Sequence, residues 1–238
     1  MFPLRDVHPP QRPPLITRLL IVLNVLAFLV QIVFSWGAHW LGGANLAAVW
    51  GVRPVCYFSP GSCGLALSQA GGWLWQPLLV SLFLHGGVLH LAFNMLFLWV
   101  FGPRVEERLG RFAFTLAYLG GGVVASLAFV VTHPLTAAPL IGASGAIAAV
   151  LGLYFILLPK SWILTYFPPI FLFPLPAPLF LLIWILGQFA GVWDQLPFLS
   201  PAPQHAPDNI AWMAHLGGFF FGAFWGWQVQ PWRKRNGS

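Results

Sequence analysis

The chain has 238 residues, of which 58% are hydrophobic and only 7% are charged, and its mean hydropathy is +0.79. Water-soluble domains carry roughly a quarter charged residues, so this composition excludes an ordinary soluble protein and predicts a polytopic membrane protein in a lipid bilayer. The formal charge of +6 does not indicate a nucleic-acid partner, because the eleven Lys and Arg residues lie in short segments beside the apolar runs.

Six apolar stretches approach the length of ~20 residues that a helix needs to cross a bilayer. In chain order they cover about residues 15–36, 85–101 with an apolar lead-in from 73, 112–131, 144–158, 178–192 and 210–228. We therefore predict an all-α membrane protein with six transmembrane helices. Its parts are a head over residues 1–14, a membrane domain over 15–230 and a basic tail over 231–238.

The basic residues predict the orientation of these spans. An even number of spans puts both termini on one side, and cytoplasmic segments carry an excess of Lys and Arg. Ten of the eleven basic residues then fall on the side of the termini, and only Arg53 lies on the other. Both termini are therefore predicted to be cytosolic. The first apolar run is predicted to be a span and not a cleaved signal peptide, since it reaches full spanning length.

Two loops have a distinct composition. The first outer loop, residues 37–84, is apolar and rich in Trp, which predicts that part of it lies in the membrane interface. It contains both cysteines, Cys56 and Cys63, and a disulfide and two reduced thiols are both compatible with the sequence. The inner loop, residues 159–178, is rich in Pro and aromatic residues and is predicted to be irregular.

Polar side chains are costly inside a membrane, so the few within the spans are the first candidates for a functional site. Those that stand out are His85, His90 and Asn94 in the second span, Ser144 at the start of the fourth and His215 near the start of the sixth. The spans contain no acidic residue, and the sequence has no His-Glu-x-x-His motif for zinc. Neither a metal nor another cofactor is predicted.

Ser144 stands in the segment Gly142-Ala143-Ser144-Gly145, which opens the fourth span. The glycines let the backbone turn sharply and leave the hydroxyl unshielded. The N–H groups in the first turn of a helix remain free to bind a carbonyl oxygen. Ser144 is therefore a candidate nucleophile beside half of an oxyanion hole, and a small helix-capping serine is the alternative.

Small residues form a stripe on two of the predicted helices. In the sixth span the stripe consists of His215, Gly218, Gly222 and Gly226. In the fourth span it consists of Ser144, Ala148 and Gly152, and Gly142 and Gly145 lie at the start of that span. Such stripes let helices approach closely. Their packing would bring Ser144 and His215 together, which predicts a Ser–His dyad; a structural histidine is the alternative.

His90 and Asn94 are four residues apart and share a helix face. Both side chains can donate a hydrogen bond to a developing oxyanion. Polar contacts between helices are the alternative for both residues. His85 is predicted to stabilise the loop before the second span.

These motifs together resemble those of the rhomboid family of intramembrane serine proteases, over about residues 75–226. The segment 84–95 resembles the family's His-x4-His-x3-Asn motif, and 142–145 resembles its Gly-x-Ser-Gly motif. The segment 214–222 is similar to its Ala-His-x2-Gly-x3-Gly motif, and 105–110 to the loop after the second helix.

The resemblance implies a six-helix rhomboid-like bundle in which Ser144 attacks and His215 is general base and acid. His90, Asn94 and the N–H of Ser144 would hold the oxyanion. The implied partners are transmembrane protein substrates, cut within or beside a membrane segment after entry beside the fifth helix, under the fifth loop. The expected location is the bacterial inner membrane, with the site open to the non-cytosolic side.

Two positions depart from the family pattern. Gln76 stands where many members have Arg, and Ala148 stands where many have an aromatic side chain against the histidine. Neither change removes a reacting group, so the sequence predicts an active protease. The alternatives are a catalytically inactive family member that binds transmembrane clients and, less favoured by the sequence, a transporter or channel, which would usually show an intramembrane charge.

Overall fold

The computed structural model describes residues 1–41, 45–59, 74–169, 171–195 and 211–235. Helices make up most of this part of the chain. They are α1 (Leu15–Leu41), α2 (Leu46–Trp50), α3 (Pro54–Phe58), α4 (Trp75–Val80), α5 (Val88–Leu109), α6 (Arg111–Thr132), α7 (Ser144–Leu157), α8 (Ala177–Gln195) and α9 (Trp212–Arg235). A 3-10 turn, Ser81–Phe83, follows α4.

Three helices in the described ranges are long and apolar enough to cross a membrane. Their apolar segments are Leu15–Ser35, Val88–Leu109 and Arg111–Thr132. Two shorter apolar helices cover Ser144–Leu157 and Ala177–Val192. These helices confirm the prediction of a helical membrane protein.

A small antiparallel sheet corrects the prediction of an all-α fold. Its strands, in spatial order, are β1 (Phe2–Asp6), β2 (Trp162–Phe167) and β3 (Phe171–Pro176). β2 and β3 form a hairpin where an irregular inner loop was predicted, and β1 adds the head of the chain to one edge. Proline lacks an N–H for a central ladder, but the prolines of this sheet lie in its two edge strands, where they are tolerated.

α7 is the buried centre of the bundle. All its residues from Gly145 to Tyr154 are buried, and it packs against α5, α6, α8 and α9. A helix that is apolar on every side requires such surroundings. Its 14 residues rise only ~21 Å, which is shorter than a hydrocarbon core of ~30 Å.

The head and the last described residues of α9 approach one end of the bundle. β1 pairs with β2, which follows α7, so the head lies near the end of α7. α9 runs parallel to α7, because successive small residues along the two helices meet in the same order. The last residues of α9 therefore reach the same end as the head, opposite Ser144 and His215.

The first outer loop folds into short helices. Cys56 in α3 is disulfide-bonded, whereas Cys63 lies outside the described residues. The hydroxyl of Tyr57 donates to the carbonyl of Leu74, 2.7 Å away, and so ties α3 to the start of α4. Gln76, which departs from the family pattern, lies in α4.

Glu106 joins the end of α5 to the start of α1. Its carboxylate is 4% exposed and accepts the N–H groups of Ile16 at 3.0 Å and Thr17 at 2.8 Å. It also accepts the Thr17 hydroxyl at 2.8 Å. N–H groups in the first turn of a helix lack intrahelical acceptors and carry partial positive charge. A buried carboxylate at this point accepts their hydrogen bonds, and its negative charge is stabilised by their partial positive charge.

We expect Glu106→Gln to lower the free energy of unfolding by about 2 kcal/mol, because an amide keeps the shape but turns an NH₂ group toward donors. Reversible unfolding in mixed detergent micelles measures this change. Arg108→Gln, at an exposed position two residues away, is the control and should leave the midpoint in place. Equal midpoints for Glu106→Gln and the wild type would contradict the capping role.

Candidate active site

Ser144 is the first residue of α7, where the backbone supplies several free donors. Ala143 precedes it as the N-cap and makes no side-chain capping bond. The first helical bond runs from the N–H of Ile147 to the carbonyl of Ala143 at 2.9 Å. The N–H groups of Ser144, Gly145 and Ala146 therefore have no acceptor within the helix. A serine hydroxyl and a set of amide donors share this helix start.

The first outer loop holds the segment that leads into Ser144. The N–H of Gly142 donates to the carbonyl of Ser81 at 2.9 Å. Val52 and Leu140 exchange two backbone hydrogen bonds, at 3.0 and 2.8 Å. These bonds fix the backbone that leads into the sharp turn at Gly142, whose φ is +124°.

The ring of His90 lies against Gly142 and near the hydroxyl of Ser144. A β-carbon on Gly142 would lie 2.8 Å from Cε1 and 2.9 Å from Nε2 of His90, and 3.8 Å from Oγ of Ser144. Position 142 therefore requires glycine for space as well as for its φ. Nδ1 of His90 accepts the N–H of Gly86 at 3.2 Å, so a neutral ring carries its proton on Nε2. That N–H is a donor beside Ser144.

Asn94 lies one turn further along α5 and is 6% exposed. Its Nδ2 atom is buried and has no hydrogen-bond partner among the described residues. An unpaired buried donor is unfavourable, so this amide is available to a bound acceptor. The backbone of His85, in contrast, has a structural role. Its N–H and carbonyl groups form hydrogen bonds of 3.0 and 2.8 Å with the side chain of Gln31, which tie the loop before α5 to α1.

Glycines bring the backbones of α7 and α9 together. A β-carbon on Gly218 would overlap the carbonyl oxygen of Gly145, and one on Gly222 would overlap that of Ala149. A β-carbon on Gly226 would lie 3.0 Å from Cβ of Ile156. Only residues without side chains permit such an approach. Gly142, predicted with this group, lies before the helix and contacts His90 instead.

His215 lies about one turn before Gly218, near the start of α9. The carbonyl oxygen of Ala214 is 4.0 Å from the point that a β-carbon on Gly145 would occupy, so the chain neighbours of Ser144 and His215 lie close to each other. Within the described part of the chain, no hydrogen bond joins Ser144 to His215. Nδ1 of His215 instead lies 2.8 Å from Oε1 of Gln188 in α8.

The aromatic side chain missing at position 148 is replaced from another helix. Ala148 is fully buried, with its β-carbon 3.2 Å from the position of a β-carbon on Gly218. The ring of Trp184 in α8 lies 6.1 Å from that of His215, tilted by 38°, and Trp212 lies 6.3 Å away at 90°. The histidine therefore has aromatic neighbours despite the small residue in α7.

Sequence reasoning missed Gln188. The signal that could have found it is its amide, since a polar side chain in a predicted span needs a partner. Among the described residues, no group of His, Cys, Asp and Glu side chains could hold a metal ion.

The chain is similar to known proteins over most of its length. A family model described as the Rhomboid domain matches residues 72–232. Rhomboid protein 1, mitochondrial, of Saccharomyces cerevisiae is 32% identical over 160 residues, which are 63% of this chain and 40% of that protein. The Presenilin-associated rhomboid-like protein, mitochondrial, of Rattus norvegicus is 32% identical over 154 residues, 64% of this chain and 37% of that protein.

A further relative is bacterial. Rhomboid protease GluP of Bacillus subtilis is 46% identical over 78 residues, which are 33% of this chain and 15% of that protein. The chain thus spans less than half the length of each of these relatives.

Proposed function

Because this chain belongs to the rhomboid family, as its motifs predicted, we propose that it is an intramembrane serine endopeptidase. It hydrolyses peptide bonds in or beside the transmembrane segments of other membrane proteins. The observation that supports this most is the packing of α7 on α9, which brings the chain neighbours of Ser144 and His215 close together at the adjacent starts of two parallel helices. The name of the relative GluP, a rhomboid protease, agrees with this activity.

Ser144 and His215 act as a dyad in the proposed reaction. Oγ of Ser144 attacks the scissile carbonyl carbon while Nε2 of His215 accepts the hydroxyl proton. His215 returns that proton to the leaving amine, which leaves an acyl-enzyme on Ser144. Water then attacks the ester with His215 again as base, and the new carboxyl end of the substrate is released.

Three donors stabilise the oxyanion that forms in both steps. They are Nε2–H of His90, Nδ2–H of Asn94 and the N–H of Ser144 at the start of α7. The unpaired state of Nδ2 of Asn94 and the position of His90 against Gly142 support these roles. Loss of one such donor typically lowers the rate by ~10²-fold or more.

The proposed topology has six spans, with both termini in the cytosol and the site open to the opposite side. Support comes from the head and the last described residues of α9, which both lie at the end of the bundle opposite Ser144. Ten of eleven basic residues also fall on the side of the termini in this arrangement. We propose the bacterial inner membrane as the location, with transmembrane substrates reaching Ser144 beside α8.

A rival within the same family is a protein that binds transmembrane clients without cutting them. A fluorophosphonate probe distinguishes the two functions, because it labels only a serine that is activated as a nucleophile. The protease requires labelling of the wild type that is lost in Ser144→Ala. It also requires cleavage of at least one member of a broad panel of transmembrane substrates in proteoliposomes. An unlabelled wild type that binds but never cleaves the panel would favour the rival.

We expect Gly142→Ala to lower kcat by about 10²-fold, because the new methyl group displaces His90 and the backbone must keep a φ of +124°. The rate of cleavage in proteoliposomes measures this loss. Gly87→Ala is the matched control, since a β-carbon there meets no atom within 4 Å. A Gly142→Ala enzyme as active as the Gly87→Ala enzyme would remove His90 from the proposed oxyanion hole.

A further inference from the structure

The amide of Gln188 is fixed in one orientation. Gln188 lies in α8 and is 6% exposed, so water does not compete for its hydrogen bonds. Its Nε2 atom donates to the backbone carbonyl of Trp184, one turn earlier, at 3.2 Å. A carbonyl oxygen only accepts, so the NH₂ end of the amide must face Trp184. The oxygen Oε1 is then the end that faces His215.

This orientation determines which nitrogen of His215 carries the proton. Oε1 of Gln188 only accepts, and it lies 2.8 Å from Nδ1, so Nδ1 is the donor of this bond. A neutral imidazole has one N–H group, and Nε2 is therefore left with its lone pair. A general base that takes the proton of Ser144 through Nε2 needs this tautomer.

We propose that Gln188 is a positioning residue that holds His215 in its Nδ1–H tautomer, with Nε2 free to act as the base toward Ser144. This inference rests on the proposed function. In soluble serine proteases a carboxylate holds the histidine in the same way. An amide performs this task without placing a charge within a membrane span, where charged side chains are strongly disfavoured.

The contacts around the bond support a fixed ring. Trp184 and Trp212 both neighbour the imidazole of His215, with ring centroids 6.1 and 6.3 Å away, which opposes rotation of the imidazole. A β-carbon on Gly191 would overlap the indole of Trp212, so α8 and α9 approach closely at this level. The tautomer of the base therefore depends on α8 staying in contact with α9.

A spectroscopic test is independent of cleavage. The full chain is labelled with ¹⁵N-histidine, and the signals of His215 are assigned by their loss in His215→Ala. At a pH where the ring is neutral, we expect the wild type to show a protonated Nδ1 and an unprotonated Nε2. Gln188→Met fills the same space, replaces the amide oxygen by a thioether sulfur that accepts only weakly, and should give a mixture of tautomers. A wild-type His215 protonated on Nε2 would overturn the inference.

A kinetic test uses the same variants in proteoliposomes. We expect Gln188→Met to lower kcat about tenfold with KM unchanged, as for the loss of one neutral hydrogen bond in the transition state. Gln31→Met is the matched control, because it removes another buried amide, one that bonds the backbone of His85 and not His215. It should lower thermal stability and leave the His215 tautomer unchanged.

The two tests separate the inference from the function. A wild type that cleaves, together with a Gln188→Met variant of wild-type kcat and tautomer, overturns the role of Gln188 and leaves the protease intact. A wild type that shows the Nδ1–H tautomer but never cleaves overturns the protease, while the hydrogen bond to Gln188 stands.

Discussion

Ser144→Ala and His215→Ala are each expected to lower the rate of cleavage of a transmembrane substrate by on the order of 10⁴-fold or more. The first change removes the attacking oxygen, and the second removes the base that accepts its proton. Because the two groups act as a unit, the double variant should be little slower than either single variant. Single-turnover cleavage in proteoliposomes, with a fluorescent substrate, measures all three rates.

Two controls test whether such losses are specific. Ser126→Ala removes another buried hydroxyl, in α6, and His133→Ala removes the histidine that ends α6. Both controls should retain cleavage within a few-fold of the wild type. If either Ser144→Ala or His215→Ala kept a tenth of the wild-type rate, the proposed dyad would be wrong.

The close contact of α7 with α9 is the part of the site that the sequence predicts best. Helical periodicity is a local property, so residues three or four positions apart share a face whatever the rest of the chain does. Small residues recurring on two such faces leave few other ways to fill the space between helices. The contacts of Gly218 with Gly145 and of Gly222 with Ala149 follow that pattern.

Contacts between residues far apart in sequence could not be predicted in this way. Glu106 meets Thr17 across 89 positions, and Gln188 meets His215 across 27. No pattern in the sequence around either residue indicates its partner, because the partner of a buried polar group depends on how the helices assemble. The presence of an uncompensated polar group in a span is visible in the sequence, but its partner is not.

The head of the chain shows the same limit. The sequence predicts a head over residues 1–14 but no contacts for it, yet Asp6 at the end of β1 accepts the hydroxyl of Tyr154 in α7 and lies 3.5 Å from the guanidinium of Arg104. These contacts hold the head against the bundle. A strand that pairs only with a distant hairpin has no partner in the local sequence, and the prolines around it are typical of loops.

The largest effect on stability is expected at Gly222. A β-carbon there would overlap the backbone carbonyl of Ala149, and backbone atoms of a central helix cannot move aside as a flexible side chain can. Gly222→Ala must therefore force α9 away from α7, and we expect it to lower the free energy of unfolding by about 3 kcal/mol or more. The separation also moves His215 away from Ser144, so cleavage should fall together with stability.

Gly187→Ala is the same chemical change, but we expect it to cause no loss of stability. Gly187 lies in α8, is exposed, and has no atom within 4 Å of the position of a β-carbon. Alanine favours a helix over glycine by up to ~1 kcal/mol, so this variant should be as stable as the wild type or more stable. Unfolding of both variants in mixed detergent micelles compares them directly. If Gly222→Ala unfolded at the same midpoint as Gly187→Ala, α7 and α9 would not be in backbone contact, and the proximity of Ser144 and His215 would lose its physical basis.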